Sequence, residues 1–362
     1  MNHAKRLRTL RRHMAAGGIE ALLVTHLADV RYLCGFGGSN AALAIGRGRA
    51  SLFTDGRYTV QAKQETSGAK VVIAEKSALR EACAFLAASG VAHVVFDPSS
   101  TTVADLEVMR AAIPSNQRRG FFRPSSMSLV ADLRMVKDAE ELVRMEEAAL
   151  LGCRLFEELL PKIASGVQET TIAAELEYAA RRNGAEGMSF ATIVASGPRA
   201  ALPHGHATSA AVPRSGFVVL DFGVILSGYC SDMTRTVFIG KASDDERFAY
   251  DSVRDAQQAA VDAVIPGVSI GEVDEAARSV LRKAGLAQYF THSTGHGVGI
   301  EIHEAPRVAA AQTQVLTPGM VITIEPGIYL AGKFGIRIED MVVVTDQAGR
   351  VITPASKALI EL

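Results

Sequence analysis

Two apolar, β-branched stretches carry acids where strands rarely tolerate them. FVVLDFGVILSGYCSDMTRTVFIG (217–240) contains Asp221 and Asp232, and MVITIEPGIYL (320–330) with FGIRIEDMVVV (334–344) contains Glu325 and Glu339. Each stretch reads as two strands around a short turn, a β-hairpin. A turn at LSG (226–228), centred between Leu226 and Ser227, sets Asp221 opposite Asp232, with Cβ atoms about 4.5–5.5 Å apart. A turn at AGK (331–333), centred on Gly332, likewise sets Glu325 opposite Glu339. Taken alone, the aspartates suit equally one structural and one surface residue, and a glutamate could be an edge residue paired with Arg337. Two hairpins that both oppose acids are harder to explain that way. Asp is a poor strand former, and an uncompensated buried carboxylate costs several kcal/mol. The pattern predicts cations between the acids.

A histidine completes the set. His296 lies in STGHGVG, where Gly295, Gly297 and Gly299 allow close backbone approach. Four carboxylates with one imidazole suit Mn²⁺ first, with Co²⁺ or Zn²⁺ as alternatives among which sequence does not choose.

In their contexts LDFG, SDMTRT, TGHGVG, IEPG and RIED, these five residues resemble the ligands of the pita-bread metallopeptidases. That family includes methionine aminopeptidase, prolidase and aminopeptidase P. The resemblance implies two divalent metal ions, with Asp221 on one, His296 and Glu325 on the other, and Asp232 and Glu339 bridging. It also implies that His204 (ALPHGHAT) and His303 (IEIHEAPR) are active-site histidines that contact substrate, and that Arg337 steadies the site by ion pairing. Glu325 would double as the catalytic proton acceptor. Arg307 stands where a prolidase arginine can meet a dipeptide's C-terminal carboxylate; His206 reads as structural or exposed. No ligand position is altered, which argues against a non-catalytic binding protein.

Ahead of these motifs, residues 1–128 read as an α/β domain. Strands are expected at 20–25, 41–46, 50–54, 70–74 and 93–96, and helices near 3–16, 56–66, 77–88 and 102–113. RYLCGFGGSN and FTDGRY resemble the N-terminal domain of the creatinase, prolidase and aminopeptidase P family. Asp55, Arg57 and Tyr58 read as a polar turn capping the next helix, and GFGGSN as a loop without the lysine of a phosphate site. Residues 129–362 read as the α+β pita-bread catalytic domain, opened by an amphipathic helix capped by Asp138 and Glu141 whose many acids suit a solvated face.

The two-domain layout points to hydrolysis of Xaa-Pro bonds in proline-containing peptides. The N-terminal motifs lean toward an Xaa-Pro aminopeptidase, with Xaa-Pro dipeptidase (prolidase) as the alternative. A net charge of −1 offers no field for nucleic acid or anionic membrane. No apolar run reaches membrane-spanning length. Four scattered cysteines without CxxC spacing suit free thiols and a cytoplasmic location. A homodimer is expected from the family resemblance alone.

Overall fold

The computed structural model describes all 362 residues, which divide into two compact units, 1–134 and 135–362. The expected boundary after residue 128 falls just before the helix Leu129–Met135, six residues of which belong to the first unit.

The first unit is a mixed six-stranded sheet. Its order is Lys70–Ala74, Ala50–Asp55, Ala42–Gly46, Ala21–Val24, Val94–Phe96 and Phe122–Pro124. Leu23, Ala44, Phe53 and Phe96 meet Cys83 and Leu86 of the helix Ala78–Ala88 in one core. Elements not expected include the edge strand Phe122–Pro124, the helix Leu129–Met135 and the helix Leu27–Cys34. Gly35, in the left-handed region at φ 88°, ends that helix. The expected helix at 56–66 is a 3₁₀ turn (Gly56–Tyr58) followed by Gln61–Glu65. Asp55 caps the turn and also pairs with the Arg57 side chain, as a polar turn requires.

The second unit is α+β. One helix pair, Ala139–Leu159 and Glu169–Arg182, covers an apolar cluster with the strand pair Gly216–Phe222 and Met233–Ile239. The other, Asp244–Asp262 and Ile270–Lys283, covers a cluster with Val321–Ile324 and Asp340–Val344. Capping boxes at Asp138/Glu141, Ser243/Glu246 and Ser269/Glu272 start three of these helices, each cap worth about 1 kcal/mol. Fully buried Val253, Val273, Leu281, Ile322 and Val342 show where the stabilisation lies, at about 1.5–3 kcal/mol per large aliphatic side chain. No helix is long and apolar enough to cross a membrane.

The first hairpin departs from its expected register, and the second keeps its expected centre. In the first, Asp221 pairs with Thr234, Ile225 with Cys230 and Leu226 with Tyr229, so the centre lies between Ser227 and Gly228. Asp232 therefore does not face Asp221 directly. A two-residue turn of this kind needs positive φ at both central positions. Ser227 (φ 50°) and Gly228 (φ 76°) supply it, where a leucine would resist. The slip is by two residues, so the aspartates keep a common face. In the second hairpin the centre holds at Gly332 (φ 73°), with Leu330 opposite Phe334 and Ile324 opposite Asp340. Glu325 and Glu339 occupy the gap between those two paired stretches. The opening helix Ala139–Leu159 corrects another expectation. Glu141 is buried rather than solvated, and it accepts hydrogen bonds from the Asp138 N–H and from Tyr229 Oη.

Candidate metal centre

Glycine makes the floor of the site possible. A Cβ on Gly295 would lie 1.9 Å from the Thr323 carbonyl oxygen, and one on Gly297 2.1 Å from that of Ala305. Only glycines let the short strand Gly295–Gly297 squeeze between Glu304–Val308 and Val321–Ile324, which presents His296 toward the acids. On the other side, a Cβ on Gly223 would sit 1.8 Å from the Ser231 carbonyl oxygen. Bare backbone there lets the segments bearing Asp221 and Asp232 cross closely.

These segments enclose a cavity of about 530 Å³ whose lining includes every residue singled out above: His204, Asp221, Asp232, His296, His303, Arg307, Glu325, Arg337 and Glu339. Donor atoms of Asp232, His296 and Glu339 all lie within 4.8 Å of one another. His296 Nε2 is 3.6 Å from Asp232 Oδ2 and 3.5 Å from Glu325 Oε1. His303 packs edge-on against His296, ring centroids 4.4 Å apart. His206 is exposed, as expected, and it also lines the cavity.

The electrostatics are severe. Burial, then repulsion from Glu339, Asp221 and Glu325, pushes the Asp232 carboxyl well above the usual range. Burial followed by Glu325 and Asp221 does the same to Glu339. Burial raises Glu325 to about 8 and lowers His296 to about 4. His296 is therefore neutral at neutral pH. Its Nδ1 is 3.0 Å from the Gly297 carbonyl oxygen, which can only accept, so the ring proton sits on Nδ1. The Nε2 lone pair is then aimed at two carboxylate oxygens.

Arg337 is the one cation buried in the cluster, and it belongs to Asp221 rather than to a glutamate. Its Nη2 donates to Asp221 Oδ2, Nη1 to Tyr329 Oη at 2.6 Å and to the Pro203 carbonyl at 3.1 Å, and Nε to Thr234 Oγ1 at 3.1 Å. Thr234 Oγ1 in turn donates to Glu339 Oε2 at 2.6 Å. Tyr329 and His292 extend the line, since His292 Nδ1 bonds the Ser293 carbonyl and its Nε2 meets Tyr329 Oη at 3.0 Å. None of Thr234, His292 or Tyr329 was singled out from sequence. Their only signal there is polarity within four residues of Asp232, His296 or Glu325.

One acceptor has no partner: Asp221 Oδ1 is buried and makes no hydrogen bond. An orphaned carboxylate oxygen, an imidazole lone pair and three crowded carboxyls fit hard or borderline divalent cations. Donors around one such ion lie about 2.0–2.2 Å from it, hence within roughly 4.4 Å of each other. The His296 spacings meet that limit.

Comparison with known proteins agrees. Residues 143–346 match the model for metallopeptidase family M24, and residues 6–136 match the Creatinase/Prolidase N-terminal domain. The chain belongs to metallopeptidase family M24. Among its M24 relatives is the Xaa-Pro dipeptidase of Pyrococcus furiosus, 41% identical over 64% of this chain and 67% of the relative. The solved Xaa-Pro dipeptidase from Bacillus anthracis superposes with TM-score 0.95 at 38% identity, covering 100% of both chains. The X-Pro aminopeptidase from Thermotoga maritima superposes with TM-score 0.90 at 35% identity, covering 98% of this chain and 99% of that one. The M24 chain thus has the pita-bread catalytic fold and the α/β N-terminal domain that the motifs implied.

Proposed function

We propose that this M24 metallopeptidase is an Xaa-Pro dipeptidase, a metallo-exopeptidase that cleaves the imide bond of dipeptides ending in proline. The observation that carries the choice is Arg307. It lies across the strand register from His296 and lines the cavity, and its side chain makes no hydrogen bond or ion pair within the chain. A free guanidinium beside the acid cluster offers a bidentate seat for a substrate carboxylate. A dipeptide brings its C-terminal carboxylate that close to the scissile bond, and a longer peptide does not. The dipeptidase relatives support this order of preference over the aminopeptidase toward which the N-terminal motifs lean.

Asp221, Asp232, His296, Glu325 and Glu339 would hold two divalent ions: Asp221 one, His296 and Glu325 the other, Asp232 and Glu339 both. When bound, the dications supply Lewis acidity, polarising a carbonyl and making water nucleophilic near pH 7. The chain's own residues do the rest. Glu325 accepts the attacking water's proton on a carboxylate oxygen and returns it to the leaving nitrogen. His303 steadies the oxygen on which charge develops. His204 contacts substrate beside the leaving nitrogen, and Arg337 holds Asp221 in place. Proline's imide has no N–H and a fixed φ, which general peptidases accommodate badly. A cytoplasmic homodimer completes the proposal, and light scattering of the purified chain tests the dimer.

The Thermotoga structure keeps the Xaa-Pro aminopeptidase as a second reading. Hydrolysis of Xaa-Pro and Xaa-Pro-Yaa with Mn²⁺ or Co²⁺, beside a chelated control, separates the two. Cleavage of the dipeptide alone supports the first reading, and comparable cleavage of the tripeptide supports the second. No metal-dependent cleavage of either would overturn both and leave a non-catalytic binding protein.

A further inference from the structure

His204 stands on a loop, and one buried acid outside the cavity holds both ends of that loop. Glu169 opens the helix Glu169–Arg182 and is fully buried. Its Oε1 accepts from the Ser196 N–H at 2.8 Å and from Ser196 Oγ at 2.9 Å. Its Oε2 accepts from the Thr208 N–H at 3.1 Å, Thr208 Oγ1 at 2.9 Å and Arg199 Nε at 3.0 Å. Ser196 and Thr208 flank the segment 197–207. Inside it, Arg199 Nη2 donates to the His206 carbonyl at 2.8 Å, and Arg337 Nη1 reaches the Pro203 carbonyl at 3.1 Å. A Cβ on Gly335 would lie 2.0 Å from the Ala200 carbonyl oxygen, so the loop rests directly on the strand leading to Arg337.

A carboxylate offers about four lone-pair directions, and the loop's donors use them. Burying a charge costs several kcal/mol unless donors meet it, and here the donors come from the loop rather than from the apolar core. We propose that Glu169 is a positioning residue for the reaction: by clasping Ser196 and Thr208 together it sets where His204 stands in the cavity. This rests on the reading above, that His204 contacts substrate near the scissile bond. Glu169 does not line the cavity and acts through that histidine.

Glu169→Gln is the direct test, because an amide turns one acceptor into a donor and so releases one end of the loop whichever way it flips. Four Mn²⁺-loaded chains are compared on an Xaa-Pro dipeptide: wild type, Glu169→Gln, His204→Ala and the double variant. The expected result is a kcat loss of about 10- to 100-fold for Glu169→Gln, with bound Mn²⁺ unchanged. In the His204→Ala background the same substitution should cost less than about 3-fold, because residues acting through one another are not additive. Should Glu169→Gln fail to fold, Thr208→Val, which removes one hydroxyl donor, is carried through the same cycle and should give a smaller loss with the same pattern. A wild-type kcat in the variant, an undiminished loss in the His204→Ala background, or a parallel loss of Mn²⁺ would overturn the clasp. A wild-type kcat in His204→Ala itself would instead remove the role given to that histidine, and the clasp with it.

Discussion

Nε2 of His296 lies 3.5 Å from Oε1 of Glu325, too far for a hydrogen bond, and the ring's proton is committed to the Gly297 carbonyl on its other side. An imidazole lone pair and a carboxyl oxygen therefore face one another, with no hydrogen bond between them, in a buried pocket. That relationship is the clearest sign that cations belong there.

Burial holds Glu325 up to about 8, and burial with mutual repulsion holds Asp232 and Glu339 well above the usual range. The metal-stripped folded chain thus keeps protons that the unfolded chain has released by about pH 5. His292 and His296, lowered by burial to about 4, oppose that trend, but only up to the ordinary histidine value of about 6.5. Between about pH 6.5 and 8 the folded state binds more protons than the unfolded one, so stability of the stripped protein should fall as pH rises. Mn²⁺ displaces those protons and should remove the fall. Melting temperatures across this window, with and without chelator, check it; a stripped protein that gains stability toward pH 8 would refute it.

Removing a ligand should differ from removing a substrate contact. Asp232→Ala is expected to lose metal and activity together, with Mn²⁺ affinity down by about 100-fold or more. His204→Ala should keep its metal and lose about 100-fold in kcat. Metal content and kcat measured on the same preparations separate them, and normal turnover in either variant would refute its assignment.

Arg307→Ala should raise KM for an Xaa-Pro dipeptide by about 10- to 100-fold, the worth of a charge-assisted hydrogen bond pair, with little change in kcat. Steady-state kinetics on the dipeptide decide this. An unchanged KM would take the substrate carboxylate away from Arg307.

The crossing at Gly223 should be intolerant. Gly223→Ala places a Cβ 1.8 Å from the Ser231 carbonyl oxygen, and backbone cannot yield cheaply, so a loss of about 3 kcal/mol or more is expected. At Gly48 nothing lies within 4 Å of an added Cβ, and Gly48→Ala should be near neutral. Denaturant melts of the two variants provide the comparison.

Much of this site could be read from sequence because its acids sit on hairpins, where one turn position dictates every pairing. Gly332 marks the second turn plainly, and Glu325 and Glu339 land where that centre puts them. The first hairpin departs from its expected register by two residues, since the choice between Leu226–Ser227 and Ser227–Gly228 depends on which pair accepts positive φ. Other features lie beyond local pattern. Glu141 looks like one more acid on a solvated helix face until Tyr229, 88 residues away, is folded onto it. Glu169 gains its meaning from Ser196 and Thr208, 27 and 39 residues on, and Tyr329 from the distant pairing of Arg337 with Asp221.

The most direct measurement is the number of Mn²⁺ ions retained per chain after equilibrium dialysis, for the wild type and Asp232→Ala side by side. Two ions in the wild type and a sharp drop in the variant are expected. A wild-type chain that retains none at saturating Mn²⁺, or a variant that retains as many, would contradict the claim that these carboxylates and His296 are a cation site.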